Sequence, residues 1–257
     1  INGLNQGNRN ASDGIALAQT AEAGMDEISG MLQKIRTLAV QASNGTNTKE
    51  DRDALSKEAS ALATEIGRIA DQTTYGGKKI LKGYVANDSI YDKVNQGAAG
   101  SAGKLVLQVG SNKGDTIEFQ VKSFMFSMIA SAAGLKDNVV AGATADGKEF
   151  GIANNAVTIS FTSAKNAQAV IDHMDKMLSV VDGQRADLGA IQNRLESSIR
   201  NQSNVAANEA DARSRIRDAD FAEESANLSQ QSIIQQAAAS MLMQANTRPQ
   251  LGLSLLG

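Results

Sequence analysis

The feature that most constrains this 257-residue chain is that it contains a single proline, Pro249, eight residues before its end. Proline ends or kinks helices more effectively than any other residue, so long segments of this chain can form uninterrupted helices. The chain also contains no cysteine, which excludes disulfides and thiolate metal sites. A mainly helical protein without covalent crosslinks is therefore predicted.

Two helices are predicted near the start of the chain. Residues 11–42 carry small or apolar side chains at steps of mostly three and four, the spacing of a helix with one narrow buried face. Asn44-Gly45-Thr46-Asn47 predicts a turn. Thr48 is predicted to cap a second helix over residues 49–71, with Asp51 in the position of a weak capping box. The short loop predicts that the two helices fold back antiparallel.

The middle of the chain has a different character, because glycine becomes frequent and the helical periodicity fades between residues 75 and 163. Residues 104–121 predict two alternating strands around a turn, and residues 156–163 predict another strand. Gly76-Gly77-Lys78-Lys79 lacks the spacing of a phosphate-binding loop and is predicted to be a turn. We therefore predict a small, solvent-facing, β-rich module over residues 84–163.

A long helix is predicted over residues 164–213, because its apolar stripe alternates steps of four and three, as in a coiled coil. Three polar residues interrupt that stripe and can set its register: Arg185, Gln192 and Gln202. Residues 214–221 are predicted to separate this helix from a terminal one, which begins among carboxylates and ends at 246–249. The predicted parts are 1–83, 84–163, 164–213 and 214–257, with the N- and C-terminal helices forming a coiled-coil-like antiparallel bundle.

Residues 226–247 carry no charge at all and are rich in Ala, Gln, Ser and Met. Small side chains allow helices to approach closely, and Met adapts to irregular gaps. Such a segment suits a place where many copies crowd together, and the self-assembly residues predicted within it are Leu228, Ile233, Ile234, Met241 and Leu242. The alternative is a poorly stabilised tail, and both can hold if the segment is disordered alone and helical once packed.

Composition and motifs argue against several functional classes. The net charge of −3 is spread along the chain without a basic block, which argues against nucleic-acid binding. No apolar run approaches the roughly 20 residues of a membrane span. His173 is the only histidine and is predicted to lie at a helix surface or edge, so no transition-metal site, cofactor or active site is expected. The chain begins with Ile1 and has no cleavable signal pattern, which suggests that a preceding segment is missing.

Five stretches of the sequence together resemble bacterial flagellin. They are INGLNQGNRNASDGIALAQTAEAGMDEISGMLQKIRTLAVQASNGTNT, EIGRIADQTTYGGKKIL, LGAIQNRLESSI, SRIRDADFAEESANLSQQSIIQQAAASMLMQAN and LSLLG, and they fall within residues 1–83 and 164–257. The resemblance implies a non-enzymatic subunit of the extracellular flagellar filament. It also implies that the helical flanks form the inner wall, that the terminal segments line the export channel, and that the middle module faces outward.

The resemblance implies partners as well. These are many copies of the same chain, an export chaperone that grips the C-terminal helix, and the hook-junction and cap proteins. Export would run unfolded through the flagellar secretion apparatus without a cleaved signal. A flagellin normally has a further helix before Ile1, so this chain alone is not expected to form native filaments. The alternative is a hook–filament junction protein, although NQGNRNASDG and SRIRDADF favour the filament subunit.

Recognition by Toll-like receptor 5 is a further implication of the resemblance. The matching receptor-contact positions lie in LQKIRTLAVQ and on the following helix, and they are Gln33, Lys34, Arg36, Leu38 and Glu65. Lys34 stands where the family usually has Arg and lacks its planar fork, so weaker recognition is expected. Ile35 is the predicted core residue of this stretch, and the alternative role of Arg36 and Leu38 is packing between neighbouring subunits.

Overall fold

The computed structural model describes residues 1–94, 102–144 and 148–256. Parts of the predicted β module (95–101 and 145–147) and the last residue of the LSLLG ending lie outside the described residues. The helices are α1 (Asn2–Ala42), α2 (Lys49–Gln72), α3 (Phe126–Ala132) and α4 (Ala164–Leu256). The strands are β1 (Thr74–Tyr75), β2 (Lys78–Lys79), β3 (Asp92–Lys93), β4 (Gly103–Gln108), β5 (Thr116–Val121), β6 (Val139–Ala141), β7 (Phe150–Ala153) and β8 (Ala156–Ile159).

The chain divides into two compact units. One contains Asn2–Ser203, and the other contains Ile1 together with the residues from Asn204 onward. The predicted boundaries at 83/84 and 163/164 fall inside the first unit. Its main core is also continuous across them, since Leu32 of α1, Phe119 of β5 and Met174 of α4 belong to one buried cluster.

The start of α2 is fixed by the predicted capping box, which is confirmed. The Thr48 hydroxyl accepts a hydrogen bond from the Asp51 amide, and the Asp51 carboxylate accepts one from the Thr48 amide. Two of the backbone donors that a helix start leaves unpaired are thereby satisfied. The preceding turn is held by Asn47, whose side-chain amide donates to Gln41 O at 2.6 Å and to Asn44 O at 3.0 Å.

Helices α1 and α4 pack antiparallel within the first unit, as predicted. Their side-chain contacts show the direction, because residue numbers rise along α4 as they fall along α1. The contacting pairs are Arg36 with Asp175, Asp26 with Arg185, Glu22 with Gln192 and Asn8 with Ser203. The fold class predicted from the sequence, mainly α with a β-rich insert, is confirmed.

The buried face of α4 is wider than the predicted stripe. Met174, Val181, Leu188 and Leu195 are buried as predicted, but so are Val170, Met177 and Gln184, each one residue before a predicted position. The predicted positions Ile171, Leu178, Arg185 and Gln192 are only half-buried. Because β5 packs on this helix as well as α1, the buried arc is broader than that of a two-helix seam.

The described residues in the middle of the chain form three small sheets. Strands β1 and β2 make a hairpin whose turn contains Gly76 and Gly77, both with positive φ, so the predicted turn is confirmed. Strands β3, β4 and β5 form an antiparallel sheet. Strand β7 pairs parallel with β6 and antiparallel with β8. The strands predicted within 104–121 and 156–163 are confirmed as β4, β5 and β8, whereas helix α3 was not predicted.

The predicted break at residues 214–221 is wrong, because α4 continues through it to Leu256. The segment contains neither glycine nor proline, and its charges support a helix. Arg215 pairs with Asp211 at 3.1 Å, and the Ser214 hydroxyl donates to Asp218 at 3.4 Å. Both pairs have the four-residue spacing that places side chains next to each other on a helix.

The predicted helix end at 246–249 is also wrong. Pro249 lies inside α4. Proline removes the hydrogen bond to the carbonyl four residues earlier, and its ring crowds that carbonyl. That residue, Ala245, is exposed, so solvent can bond the freed carbonyl and the helix continues.

Candidate assembly and receptor-contact surfaces

The residues from 204 to 256, called the terminal segment below, contain no buried residue. The five predicted self-assembly residues are all exposed, at 69% for Leu228, 65% for Ile233, 57% for Ile234, 71% for Met241 and 64% for Leu242. Further large apolar side chains of the same segment are also exposed, among them Phe221 and Leu253. A run of exposed apolar side chains on one helix is unusual for a monomeric soluble protein and marks an interaction surface.

The apolar residues of the terminal segment follow a coiled-coil spacing. Phe221, Leu228 and Leu242 are separated by multiples of seven residues. Ile234 and Met241 are also seven apart and lie one position earlier in the same repeat. A seven-residue repeat places side chains along one stripe of a helix, where a partner helix can cover them. Because residues 226–247 carry no charge, identical segments can approach without repulsion between them.

The five predicted receptor-contact residues lie in different environments. Gln33 and Lys34 are exposed on α1. Arg36 is half-buried, and its Nε donates to Asp175 Oδ1 of α4 at 2.7 Å. Glu65 is half-buried on α2 and accepts hydrogen bonds from the Arg68 guanidinium. These bonds hold the pKa of the Glu65 carboxyl below its ordinary value.

Leu38 differs from the other four because it belongs to the core of the first unit. It is 9% exposed and lies in the same buried cluster as Ile35, the residue predicted to be buried there. The Leu38 side chain is therefore covered by its own chain. A change at this position would disturb the packing of α1 as well as any external contact.

His173 is buried, so the prediction that it lies at a surface or edge is wrong. Its Nε2 is 3.3 Å from Glu149 Oε2, and the Asn138 side-chain amide donates to the same oxygen at 3.1 Å. The ring also packs against Phe150, at 5.5 Å between ring centroids. The partners that bury it lie on the segment before α4 and cannot be read from the helix sequence alone.

The described residues contain no group of three or more His, Cys, Asp or Glu side chains placed to hold a metal ion. Among these residues, no helix is both long and apolar enough to cross a membrane.

The middle strands dock on the helices through side chains that sequence reasoning missed. The Ser60 hydroxyl accepts from Ile159 N at 2.8 Å, and the Thr64 hydroxyl accepts from Val157 N at 3.1 Å. On α4, the Gln184 side chain accepts from Lys122 N at 3.1 Å and donates to Gln120 O at 3.3 Å. The four-residue spacing of Ser60 and Thr64 on α2 was the one signal that could have indicated this docking.

Two protein-family models match the chain. The bacterial flagellin N-terminal helical region matches residues 1–86, and the bacterial flagellin C-terminal helical region matches residues 149–256. A flagellin of Halalkalibacterium halodurans is 39% identical over 256 residues, which cover 100% of this chain and 79% of that protein. Polar flagellin C of Vibrio parahaemolyticus is 31% identical over 324 residues, which cover 99% of this chain and 84% of that protein.

Solved structures resemble the fold. The crystal structure of Bacillus cereus flagellin has a TM-score of 0.52 at 22% identity, covering 78% of this chain and 94% of that one. A Vibrio parahaemolyticus protein described as flagellar hook-associated has a TM-score of 0.57 at 16% identity, covering 80% of this chain and 88% of that one. At these identities the likeness concerns the fold alone.

Proposed function

Because the chain belongs to the bacterial flagellin family, we propose that it serves motility by packing its terminal segment against the terminal segments of neighbouring copies. Flagellins are structural proteins and not enzymes. The chain is a structural subunit of the flagellar filament, an extracellular homo-oligomer that assembles from many copies. The proposal concerns which residues make that assembly.

The exposed apolar side chains of the terminal segment carry this proposal. Leu228, Met241 and Leu242 are each more than 60% exposed in the single chain. Burying a Leu or Met side chain against a neighbour stabilises by about 1.5–3 kcal/mol. Repeated along one helix and over many copies, this gain favours the assembled state over the single chain.

The test changes the apolar stripe in the bacterium that carries the gene. We expect Leu228→Gln with Leu242→Gln to abolish or shorten filaments seen by electron microscopy, because glutamine keeps helix propensity but removes apolar burial. The matched control is Gln230→Ala with Gln231→Ala, at exposed polar positions of the same helix, which should leave filaments intact. Normal filaments from the double Leu variant would contradict the proposal.

A hook–filament junction protein is the second candidate. The fold likeness to the hook-associated protein of Vibrio parahaemolyticus favours it, but that likeness concerns the fold alone. Sequence identity of 39% to a flagellin along the whole chain favours the filament subunit. Immunogold labelling against residues 102–144 separates the two, because a filament subunit is labelled along the whole filament and a junction protein only at its base.

Export and assembly partners follow from the same proposal. An export chaperone would bind the terminal segment and shield its exposed apolar side chains from solvent before assembly. Export would run without a cleaved signal, and the hook-junction and cap proteins would contact the chain at the two ends of the filament. We expect an export chaperone to co-purify with the wild-type chain and to be lost from the Leu228→Gln and Leu242→Gln variant.

Recognition by Toll-like receptor 5 is proposed for the surface of α1 and α2. The exposed side chains of Gln33 and Lys34 support it, and the ion pairs of Arg36 and Glu65 fix those two side chains in place. We expect Gln33→Ala with Lys34→Ala to lower activation of a receptor reporter, whereas Lys165→Ala, an exposed lysine of α4, should not. Leu38→Ala is unsuitable as a test, because Leu38 is a core residue.

A further inference from the structure

The chain contains two Asn-Gly dipeptides, Asn2-Gly3 and Asn44-Gly45, and the structure places them in different settings. Asn2 and Gly3 form the first turn of α1, and a Cβ atom on Gly3 would lie 2.8 Å from Ser111 Cβ. Asn44 and Gly45 are exposed in the loop between α1 and α2. Asparagine followed by glycine is the dipeptide most prone to intramolecular cyclisation, because glycine leaves its own nitrogen uncrowded.

We propose that Asn44 is a site of spontaneous deamidation that the loop geometry promotes. In this reaction the Gly45 nitrogen attacks Asn44 Cγ, a new N–Cγ bond forms, and the Cγ–Nδ2 bond breaks. The proton from the Gly45 nitrogen leaves with the departing nitrogen as ammonia. Water then opens the five-membered imide at either carbonyl, which leaves aspartate or isoaspartate at position 44. No oxidant or enzyme is needed.

The nucleophile is free for this attack. Within the described residues, the Gly45 amide donates no hydrogen bond, whereas the amides of Asn44 and Asn47 donate to Gln41 O and Asn44 O. No atom outside the neighbouring residues lies within 4 Å of the place where a Gly45 Cβ would be. The space beside Gly45 is therefore open to the rearrangement that the ring requires.

The electrophile, Asn44 Cγ, is also activated by a hydrogen bond to its oxygen. Asn44 Oδ1 accepts a hydrogen bond from Thr46 N at 3.3 Å. This oxygen gains negative charge when the Gly45 nitrogen adds to Cγ, so a donor already directed at it stabilises the intermediate, as backbone donors do in an oxyanion hole. The bond also holds the carboxamide beside the backbone that attacks it. Ordered structure usually slows asparagine deamidation, but the folded loop favours it at Asn44.

The product changes the joint between the two helices. An isoaspartate adds a methylene to the main chain at position 44, whose carbonyl accepts from Asn47 N at 3.2 Å and from Asn47 Nδ2 at 3.0 Å. Either product also places a carboxylate two residues after the end of α1, where the helix dipole disfavours negative charge. Conversion should therefore lower the stability of the first unit.

The test compares both dipeptides in the intact chain, folded in buffer at mildly alkaline pH and unfolded in concentrated urea at the same pH. Peptide mapping by mass spectrometry follows each site, and isoaspartyl methyltransferase labelling identifies the isomer. We expect Asn44 to convert in the folded chain at least as fast as in urea, and Asn2 to convert several-fold more slowly when folded. Conversion of Asn44 that is several-fold slower in the folded chain, or without isoaspartate, would overturn the proposal.

Gly45→Ala is the matched variant. Gly45 does not have a positive φ, and its Cβ position is open, so alanine fits without strain. We expect the variant to unfold at the same temperature as the fresh wild type and to convert Asn44 slower by roughly an order of magnitude, because the methyl group crowds the attacking nitrogen. After ageing, the wild type should unfold at a lower temperature than the equally aged variant, and equal losses in both would contradict the proposed consequence.

Discussion

Glycines of helix α1 serve opposite purposes at different positions. A Cβ atom on Gly7 would lie 2.4 Å from the carbonyl oxygen of Val109, and one on Gly14 would lie 2.3 Å from Leu107. These glycines allow the β4–β5 hairpin to approach the helix backbone. Gly30 has no atom within 4 Å of its Cβ position and only weakens the helix.

The same substitution should therefore have opposite effects at two positions of one helix. Gly30→Ala should raise the free energy of unfolding by about 0.5–1 kcal/mol, because alanine reduces the backbone entropy lost on folding. Gly7→Ala should lower it by about 1–3 kcal/mol, because the hairpin backbone must shift. Urea denaturation of both variants measures this. A rise in the unfolding free energy of Gly7→Ala would contradict the close approach of Val109 to this helix.

At the scale of the element, β8 docks on α2 because two spacings match. Four helical residues rise about 6 Å, and two strand residues span about 6.6 Å. Ser60 therefore lies opposite Ile159, and Thr64 lies opposite Val157. Each hydroxyl accepts a hydrogen bond from the strand amide that points toward α2. The Thr64 hydroxyl also donates to Val157 O at 3.3 Å.

Removing these hydroxyls should be costly. Ser60→Ala with Thr64→Val leaves two strand amides without their partners, and each should cost about 1–3 kcal/mol of unfolding free energy. The matched control is Thr37→Val, whose exposed hydroxyl bonds only a carbonyl of its own helix and which should change stability by less than about 0.5 kcal/mol. A double variant as stable as the control would mean that water replaces the hydroxyls.

The capping box at the start of α2 predicts a pH dependence. The hydrogen bond from the Thr48 backbone amide, followed by the one with its side chain, lowers the pKa of the Asp51 carboxyl. Its stabilising effect is therefore complete above the ordinary aspartate pKa of about 3.9 and is lost as the pH falls through the lowered value. We expect the stability difference between wild type and Asp51→Asn to be constant near neutral pH and to shrink in acid. A difference independent of pH would contradict this.

The Thr48 side chain contributes to the same cap. Thr48→Ala removes the acceptor for the Asp51 amide and should lower the unfolding free energy by about 1 kcal/mol. Thr48→Ser keeps a hydroxyl at the cap and should restore most of the loss. Urea denaturation followed by circular dichroism measures both variants.

At the scale of the whole molecule, the two compact units should differ in their resistance to proteolysis. Arg213, Arg215 and Arg217 lie in the terminal segment, where no residue is buried. Cleavage needs local opening, and a helix without buried apolar contacts opens at little cost. We expect trypsin to cut the monomer first at these arginines and to leave a resistant fragment that contains residues 2–203. Equal cleavage rates in both units would indicate that the terminal segment is packed.

Local patterns in the sequence predicted most of the helices and the longer strands. The three-and-four spacing predicted α1 and α2, alternation predicted β4, β5 and β8, and Thr48 with Asp51 predicted the cap. Such patterns depend on neighbours within a few residues. The start of α1 was placed too late because residues 2–10 are mostly polar. Two of their side-chain amides pair with distant partners, Asn8 with Ser203 and Asn10 with Gln108 O.

The sequence by itself determined that this chain forms long helices around a β-rich middle, and that residues 226–247 near its end carry apolar side chains without charge. These properties follow from composition and short-range periodicity, which the chain carries in any conformation. Only the tertiary structure decided that His173 contacts Glu149 and that Leu38 is covered by its own chain. It also decided that Ser60 and Thr64 accept hydrogen bonds from strand β8. Each of these depends on residues far apart in sequence, and no local pattern specifies which distant group arrives to pair with them.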